Sequence, residues 1–324
     1  MVRAVRIHET GGPEVMKLED VEVGDPGPGQ VRVRHTAIGL NFIDTYQRSG
    51  LYPANLPSPL GLEAAGVVEA VGEGVSHLKE SDRVAYGTGP LGAYAEAHIV
   101  AADRVAKLPR DIDDRTAAAM MLKGMTAQYL LRRTYTVKAG DPILFHAAAG
   151  GVGLIACQWA NHLGATVIGT VGSEEKAELA RANGCHHTIL YRTEDVPARV
   201  RDITGGEMLP VVYDGVGRAT WDASLDCLAP RGLMVSFGNA SGPVGPIDPM
   251  ILSAKGSLYL TRPTLFHYTM TAEELQATAD DLFGVVKSGA VKIPVNQTYA
   301  LEDVVKAHQD LEARRTTGAT VLIP

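Results

Sequence analysis

The stretch FHAAAGGVGLIACQWANHLGA, residues 145–165, constrains the fold more than any other part of this chain. An apolar strand runs into a turn of alanines and glycines. Val152, Ile155, Ala156, Trp159 and Leu163 then recur at three- and four-residue steps up to Gly164, which reads as one buried helix face with a glycine stop. The turn is nearly G-x-G-x-x-G, with Ala148 in the first position and Gly150 and Gly153 in the others. At the end of a central strand, small residues let the backbone approach a pyrophosphate, which then meets the N–H groups and positive dipole of the helix start. Gly150 and Gly151 give that approach, Val152 follows them, and Gly153 lets the helix pack close to the strand.

The chain around this turn repeats the same unit. ATVIGTV reads as a second strand, EEKAELARA as a helix capped by Ser173 and stopped at Asn183-Gly184, and HTILY as a third strand. Thr193 is a candidate cap for the next helix. PVVYDGVG and GLMVSFGN read as two more strands, separated by a helix from Trp221 to Leu228. Strands alternating with helices imply parallel pairing with right-handed crossovers, a doubly wound sheet of Rossmann type. Before residue 123 the rhythm differs: QVRVRHTAIGL, AAGVVEAVGEGV, DRVAYG and YAEAHIVAA alternate with period two between glycines and prolines, which predicts a compact β-rich unit. After residue 261 come two helices, TAEELQATADDLFGVVKSG and LEDVVKAHQDLEAR, and a terminal apolar ATVLIP. This tail is too small for its own core and is expected to return to the first domain. The expected division is therefore 1–122 with 262–324, and 123–261, in an α/β chain whose 324 residues, 45% of them hydrophobic, suffice for two cores.

The end of the second strand addresses the choice of dinucleotide. An NAD site normally offers a carboxylate there to the ribose 2′-hydroxyl, whereas this chain has Thr170, Val171, Gly172 and Ser173. A 2′-phosphate can be held by Ser173, the Gly172 N–H and Lys176, with the Tyr191 hydroxyl added from the third strand, so NADPH is favoured. Glu174 and Glu175 could turn inward against it; as first-turn acids they also suit the helix dipole.

The motifs AIGLNFIDTYQRSGLYP, GLEAAGVVEAVG, LKGMTAQYLL, VVYDGVGRATW, RGLMVSFGNASG, KGSLYLTRP and RRTTG, with the glycine turn, extend over essentially the whole length. On them the chain resembles the zinc-free quinone oxidoreductases of the medium-chain dehydrogenase/reductase superfamily, the branch that includes zeta-crystallin. The resemblance implies a GroES-like catalytic domain beside the Rossmann domain, and NADPH-dependent reduction of small quinones in the cleft between them. It implies a nicotinamide near Asn41, Tyr46 and Thr126. It puts Phe237, Gly238, Asn239 and Ser241 along the cofactor, Arg314 approaching from the tail, Lys123 close to the phosphates or nicotinamide, and Tyr52 in a substrate-side loop. Turn geometry, aromatic packing or a surface location would account for Asn41, the tyrosines and Arg314 without such roles, and Arg315 could replace Arg314. Zinc-dependent relatives carry a cysteine at the place of Asn41 and a histidine at that of Leu62; an amide and an isobutyl group cannot ligate zinc. No cysteine precedes Cys157, so the cysteine-rich structural lobe is missing too, and Glu63 is expected as a buried structural carboxylate paired with a donor.

An acceptor reduced without a metal or an evident acid should already be electrophilic. A quinone qualifies, with Asn41 or a tyrosine hydroxyl hydrogen-bonded to its carbonyl and protons drawn from solvent. Reduction of an enone or alkenal double bond is the alternative chemistry. A non-enzymatic NADPH-binding role, with RNA as a partner, is the alternative class; the net charge of −7 argues against RNA. No stretch has the length of a membrane span, and MVRAVRIHETGG lacks an apolar signal core, so a cytoplasmic protein is expected. Three widely spaced cysteines, Cys157, Cys185 and Cys227, form no disulfide or zinc pattern. His146, beside the turn, reads as a satisfied strand histidine. KGSLYLTRP reads as an edge strand of the cofactor sheet, and the resemblance implies a homodimer through it.

Overall fold

A computed structural model describes all residues from Met1 to Pro324. The chain divides into two compact units: Met1–Met125 with Tyr268–Lys287 and Ile293–Pro324, and Thr126–His267 with Ser288–Lys292. The chain passes from one to the other between Met125 and Thr126, inside a helix, and again at His267. Arg262–His267 stays with the second unit, where Arg262 Nη1 donates to the Ser236 carbonyl at 2.8 Å.

The first unit opens with β1 (Val2–Ile7), β2 (Met16–Val21), β3 (Gln30–Leu40), β4 (Ser58–Pro59), β5 (Glu63–Val71), β6 (Arg83–Tyr86), β7 (Ala97–Ala101) and β8 (Ala106–Lys107). Between β3 and β4 lies helix α1 (Phe42–Ser49), and after β8 comes α2 (Asp114–Tyr129). Period two is plain in the first part of β3, where Val31, Val33 and His35 are buried and Arg32, Arg34 and Thr36 are not, before the strand is buried continuously from Ala37 to Leu40. The two helices are departures from the β-rich expectation. Asn41 and Asp44, three apart, start α1 as a capping pair, with the Asp44 carboxylate accepting the Asn41 N–H at 2.8 Å. In α2, Ala117–Met121 are completely buried, so no polar face interrupts the apolar run to mark a helical period.

The second unit carries β9 (Pro142–Phe145), α3 (Gly151–His162), β10 (Thr166–Val171), α4 (Glu174–Ala182), β11 (His187–Leu190), α5 (Val196–Ile203), β12 (Leu209–Asp214), α6 (Trp221–Asp226), β13 (Leu228–Ser236), α7 (Met250–Ala254), β14 (Tyr259–Thr261) and α8 (Leu265–Tyr268, its last residue in the first unit). All pairings are parallel, in the order β11-β10-β9-β12-β13-β14, the doubly wound arrangement with its switch point between β9 and β12. Leu144, Ile168, Ile189, Val212 and Met234, one from each of the first five strands in that sheet, share a core with Trp221. Two expected boundaries shift. Helix α5 is capped by Asp195, whose carboxylate accepts the Ala198 N–H at 2.8 Å, and not by Thr193, whose N–H bonds back to Leu190. Leu228 belongs to β13, paired with Leu209, so α6 ends at Asp226.

The tail adds α9 (Ala272–Lys287), β15 (Val295–Ala300), α10 (Val304–Glu312) and β16 (Ala319–Ile323). In the first unit, Thr320, Val321 and Leu322 pair antiparallel with Leu40, Gly39 and Ile38 of β3. Leu301, Val304 and Leu322 enter the core formed by Val31, Val33 and Tyr86. No helix is long and apolar enough to cross a membrane.

Candidate active site

In the second unit the glycine turn leaves β9 at the switch point. The His146 N–H bonds to the Tyr213 carbonyl at 3.0 Å and the Ala148 N–H to the Thr170 carbonyl at 3.1 Å, so the turn hangs from the strand on each side. Ala147 takes a left-handed φ of 55°, an unusual conformation for a residue with a side chain and one found where surroundings enforce it. Gly150 caps α3, and the first intrahelical bond runs from the Leu154 N–H to Gly150 at 2.9 Å. The N–H groups of Gly151, Val152 and Gly153 therefore precede the helical ladder and point outward at its positive end. A Cβ on Gly153 would stand 2.4 Å from the Ala147 carbonyl oxygen, so close approach requires glycine here. These features fit a pyrophosphate.

A buried polar network ties the neighbouring strand ends to this turn. Asp214, fully buried at the end of β12, accepts the N–H groups of Val216 (2.7 Å) and Gly217 (2.9 Å) on one oxygen and the hydroxyls of Thr220 and Ser224 (both 2.7 Å) on the other. With its proton on Asp214, Ser224 accepts from His146 Nε2 at 3.0 Å, which leaves Nδ1 to accept the Thr170 hydroxyl at 2.8 Å. Both imidazole nitrogens are thus used, and burial pushes the His146 pKa down. His146 is a satisfied core histidine, completely rather than partly enclosed.

At the end of β10 the structure brings together Gly172, Ser173, Lys176 and Tyr191. Ser173 caps α4 by accepting the Lys176 N–H at 3.4 Å, and a Cβ on Gly172 would lie 2.7 Å from the Tyr191 hydroxyl. Glu174 is turned along its own helix to Arg181, at 2.7 Å, and not toward this group. The set is one of donors, with Glu174 turned away and Glu175 exposed, and it fits a 2′-phosphate. Along β13's exit, Phe237 packs on Phe145 with centroids 5.7 Å apart, and Gly238 approaches Gly215 so closely that a Cβ would stand 2.3 Å from its carbonyl oxygen. The Ser241 hydroxyl donates to the Val216 carbonyl at 2.8 Å and accepts the Ala219 N–H at 2.9 Å; Asn239 faces Arg262 and the Gly238 carbonyl. Thr126 is buried at the start of this unit.

The first unit holds a different constellation. Glu63, at the start of β5, is fully buried and accepts the Leu122 N–H at 2.7 Å on one oxygen; the other meets Asn41 Nδ2 at 2.7 Å and the Lys123 ammonium at 2.9 Å. Lys123, 6% exposed, is thereby committed to Glu63. The Asn41 amide makes a second, longer contact of 3.4 Å with the Gly39 carbonyl. Gly39 must be glycine, since a Cβ would lie 2.1 Å from a Glu63 oxygen. Leu62, beside it, is buried. Tyr46 and Tyr52 meet edge to face at 5.2 Å, with Phe42 packed on Tyr46 at 5.7 Å. Arg314 is exposed, on a left-handed turn after α10, whereas Arg315 is held to Asp310 at 2.5 Å. Asp44, Tyr94, His308 and Arg48, which sequence reasoning did not single out, join the Asn41 constellation from behind. Only the three-residue spacing of Asn41 and Asp44 could have flagged them.

Comparison with known proteins agrees with this layout. Residues 27–110 match the alcohol dehydrogenase GroES-like domain and residues 151–283 the zinc-binding dehydrogenase family. The chain is 59% identical, over 100% of both chains, to a quinone oxidoreductase of Pseudomonas aeruginosa. It is 50% identical, over 100% of this chain and 99% of the other, to a 2-haloacrylate reductase of a Burkholderia species. The quinone oxidoreductase of Escherichia coli, solved in complex with NADPH, superposes with a TM-score of 0.98 at 52% identity, covering 99% of this chain and 100% of that one. With both family domains matched and full-length relatives above half identity, the chain belongs to the quinone oxidoreductase branch of the medium-chain dehydrogenase/reductase superfamily.

Proposed function

We propose that the chain reduces small quinones with NADPH and needs no metal to do so. The observation that carries this reading is the state of Asn41: its amide bonds a buried carboxylate that Lys123 already neutralises, so the constellation offers a neutral hydrogen-bond donor and no mobile acid. That suits an acceptor which must be polarised but not protonated. NADPH, when bound, supplies a hydride equivalent; the hydroquinone anion formed takes its proton from water. The second N–H of the Asn41 amide, whose nitrogen is 3.4 Å from the Gly39 carbonyl oxygen, is too loosely held there to resist a developing oxyanion, and such a donor contributes about 2 to 4 kcal/mol at the transition state. The edges and faces of Tyr46 and Tyr52 supply an aromatic wall for the ring.

For the cofactor, Gly150, Gly151, Val152 and Gly153 take the pyrophosphate, and Gly172, Ser173, Lys176 and Tyr191 the 2′-phosphate. Thr126, Phe237, Gly238, Asn239, Ser241 and Arg314 contact the remainder; Lys123 acts through Glu63. The NADPH complex of the Escherichia coli relative supports this cofactor, and the Pseudomonas aeruginosa relative supports the substrate class. A second reading, reduction of an activated carbon–carbon double bond, is supported by the 2-haloacrylate reductase relative. We also propose a homodimer formed through β14, an edge strand whose Tyr259 is 62% exposed. Light scattering that gave one chain mass at micromolar concentration would remove that part.

The test is initial-rate consumption of NADPH and NADH by metal-stripped protein, with 1,4-benzoquinone and 2-chloroacrylate as acceptors. Fast benzoquinone turnover with a strong NADPH preference is expected. Turnover of chloroacrylate alone would replace the first reading by the second, and activity that returned only on adding zinc would sink the metal-free mechanism.

A further inference from the structure

Asp44 is the third residue of α1 and is fully buried. Its Oδ2 accepts the Asn41 N–H at 2.8 Å and the Tyr94 hydroxyl at 2.7 Å, while Oδ1 has no hydrogen-bond partner. Behind Tyr94 the chain of contacts continues: Tyr94 Oη to His308 Nε2 at 3.1 Å, His308 Nδ1 to Arg48 Nη1 at 3.0 Å, and Arg48 in a two-pronged pair with Glu312 at 2.7 and 3.1 Å. Arg48, His308 and Tyr94 are all 2% exposed or less. The direction of every bond is fixed. A guanidinium can only donate, so His308 Nδ1 is the acceptor and Nε2 carries the proton; Nε2 donates to Tyr94, and the Tyr94 proton faces Asp44. This arrangement is not a proton path, because Arg48 does not release a proton and occupies the one lone pair through which His308 could take another.

We propose that Arg48, His308, Tyr94 and Asp44 are positioning residues that set the aim of the Asn41 amide. Asn41 is clamped by two buried carboxylates: Asp44 holds its main-chain N–H from one side, and Glu63, backed by Leu122 and Lys123, holds its side chain from the other. The inference rests on the reading that Asn41 polarises the acceptor. Its added content is that residues with no contact to the acceptor control the rate through the angle at which Asn41 is held. A displacement of a fraction of an ångström at a hydrogen-bond donor is enough to be read in kcat.

Asp44 also makes the clamp respond to pH. Its pKa is raised to about 7, by burial above all and to a smaller extent by Glu63, against the opposing Tyr94 hydroxyl, Asn41 N–H and Lys123 charge. The charged groups behind it are Arg48 and Glu312, and His308, driven down to about 3 by burial and by Arg48, stays neutral. An ionised Asp44 grips the Asn41 N–H more strongly than a protonated one, so kcat rises through neutrality.

The experiment is a double-mutant cycle on Tyr94→Phe and Asn41→Ala, read as kcat for benzoquinone, KM for NADPH and the pH profile of kcat, with thermal melting to check folding. Tyr94→Phe is expected to lower kcat about tenfold with KM for NADPH unchanged, and to move the midpoint of the kcat profile upward, since a bond favouring the carboxylate is lost. In the Asn41→Ala background Tyr94→Phe should cost nothing more. Asp44→Asn, a neutral acceptor for both donors like the protonated acid, should hold kcat near the parent's low-pH level and flatten the profile between pH 6 and 8. Additive losses, or a Tyr94→Phe enzyme with parental kcat and profile, would overturn the positioning role. If Asn41→Ala itself keeps full kcat, the failure lies in the role of Asn41, and the positioning proposal falls with it.

Discussion

Replacing Lys123 by methionine should destabilise the first unit by about 3 to 5 kcal/mol, and the reasoning can be followed atom by atom. Glu63 is completely enclosed and the Lys123 side chain is 7% exposed, with 2.9 Å between Nζ and Oε2. At that distance, with an effective dielectric constant near 20, the attraction alone is about 6 kcal/mol, from which the cost of burying two charges must be subtracted. Methionine preserves most of the stem's packing but leaves a buried carboxylate with only two neutral donors, the Leu122 N–H and the Asn41 amide. Urea denaturation followed by circular dichroism at pH 7 measures the loss. Replacing Glu63 by glutamine in the same chain removes the stranded charge, so the double variant should recover a substantial part of it. A Lys123→Met protein within about 1 kcal/mol of the parent, or a double variant no better than the single one, would refute the claim that this ion pair neutralises the site.

Three further outcomes follow from the geometry. Gly153→Ala forces a methyl against the Ala147 carbonyl and the Ala148 backbone, so KM for NADPH should rise by at least about tenfold, and an unchanged KM would show that the turn can yield. Ser173→Asp keeps a side chain able to cap α4 but puts a carboxylate where a 2′-phosphate would lie; the ratio of kcat/KM for NADPH over NADH should fall at least about tenfold, and a constant ratio would move the phosphate pocket elsewhere. Burial lowers the pKa of His35 and His98 to about 4 and that of His308 to about 3, so each is protonated more readily unfolded than folded, and its contribution is lost as pH falls below about 6.5. Buried His146, also lowered, adds to them, while Asp44, raised to about 7, acts with the opposite sign over the same window; the histidines outnumber it, so urea midpoints should drop from pH 6.5 to pH 4.5, and a flat response would contradict the burial of these histidines.

The parts of this fold that were legible in the sequence are those in which local chemistry and tertiary structure ask for the same residue. The turn after β9 needs glycine both to let α3 pack and to expose its first N–H groups, so Gly150 and Gly153 announce it. Ser173 is a cap that comes two positions after a strand's last residue, Val171. Thr193 was named as the cap of α5 where Asp195 serves; Pro197 in the first turn is the signal that could have told them apart. Helix α2 was hidden because burial on every side erases its period, and α1 because its capping pair lies at the end of a long strand. The site behaved likewise. Asn41, Tyr46, Tyr52 and Lys123 could be named from family resemblance, but the pairing of Lys123 with Glu63 and the chain from Asp44 through Tyr94 to His308 join residues far apart in sequence, Tyr94 and His308 being 214 positions apart. No local pattern encodes such contacts.

The pairing of β16 with β3 has a consequence for biosynthesis. All six strands of the parallel sheet lie between Pro142 and Thr261, so that sheet can be completed while the ribosome is still adding the tail. The sheet bearing Gly39 and Leu40 has to wait for Val321 and Thr320, which follow them by 282 and 280 positions. Until then the Ile38–Leu40 end of β3, unlike Gln30–Arg34, which pairs with β7, lacks its partner on one side, a slow and aggregation-exposed stage that high contact order imposes. A nascent chain thus acquires its nucleotide-binding sheet before it can hold Asn41 in place, and premature termination would leave a cofactor-binding unit without the half that turns the acceptor over.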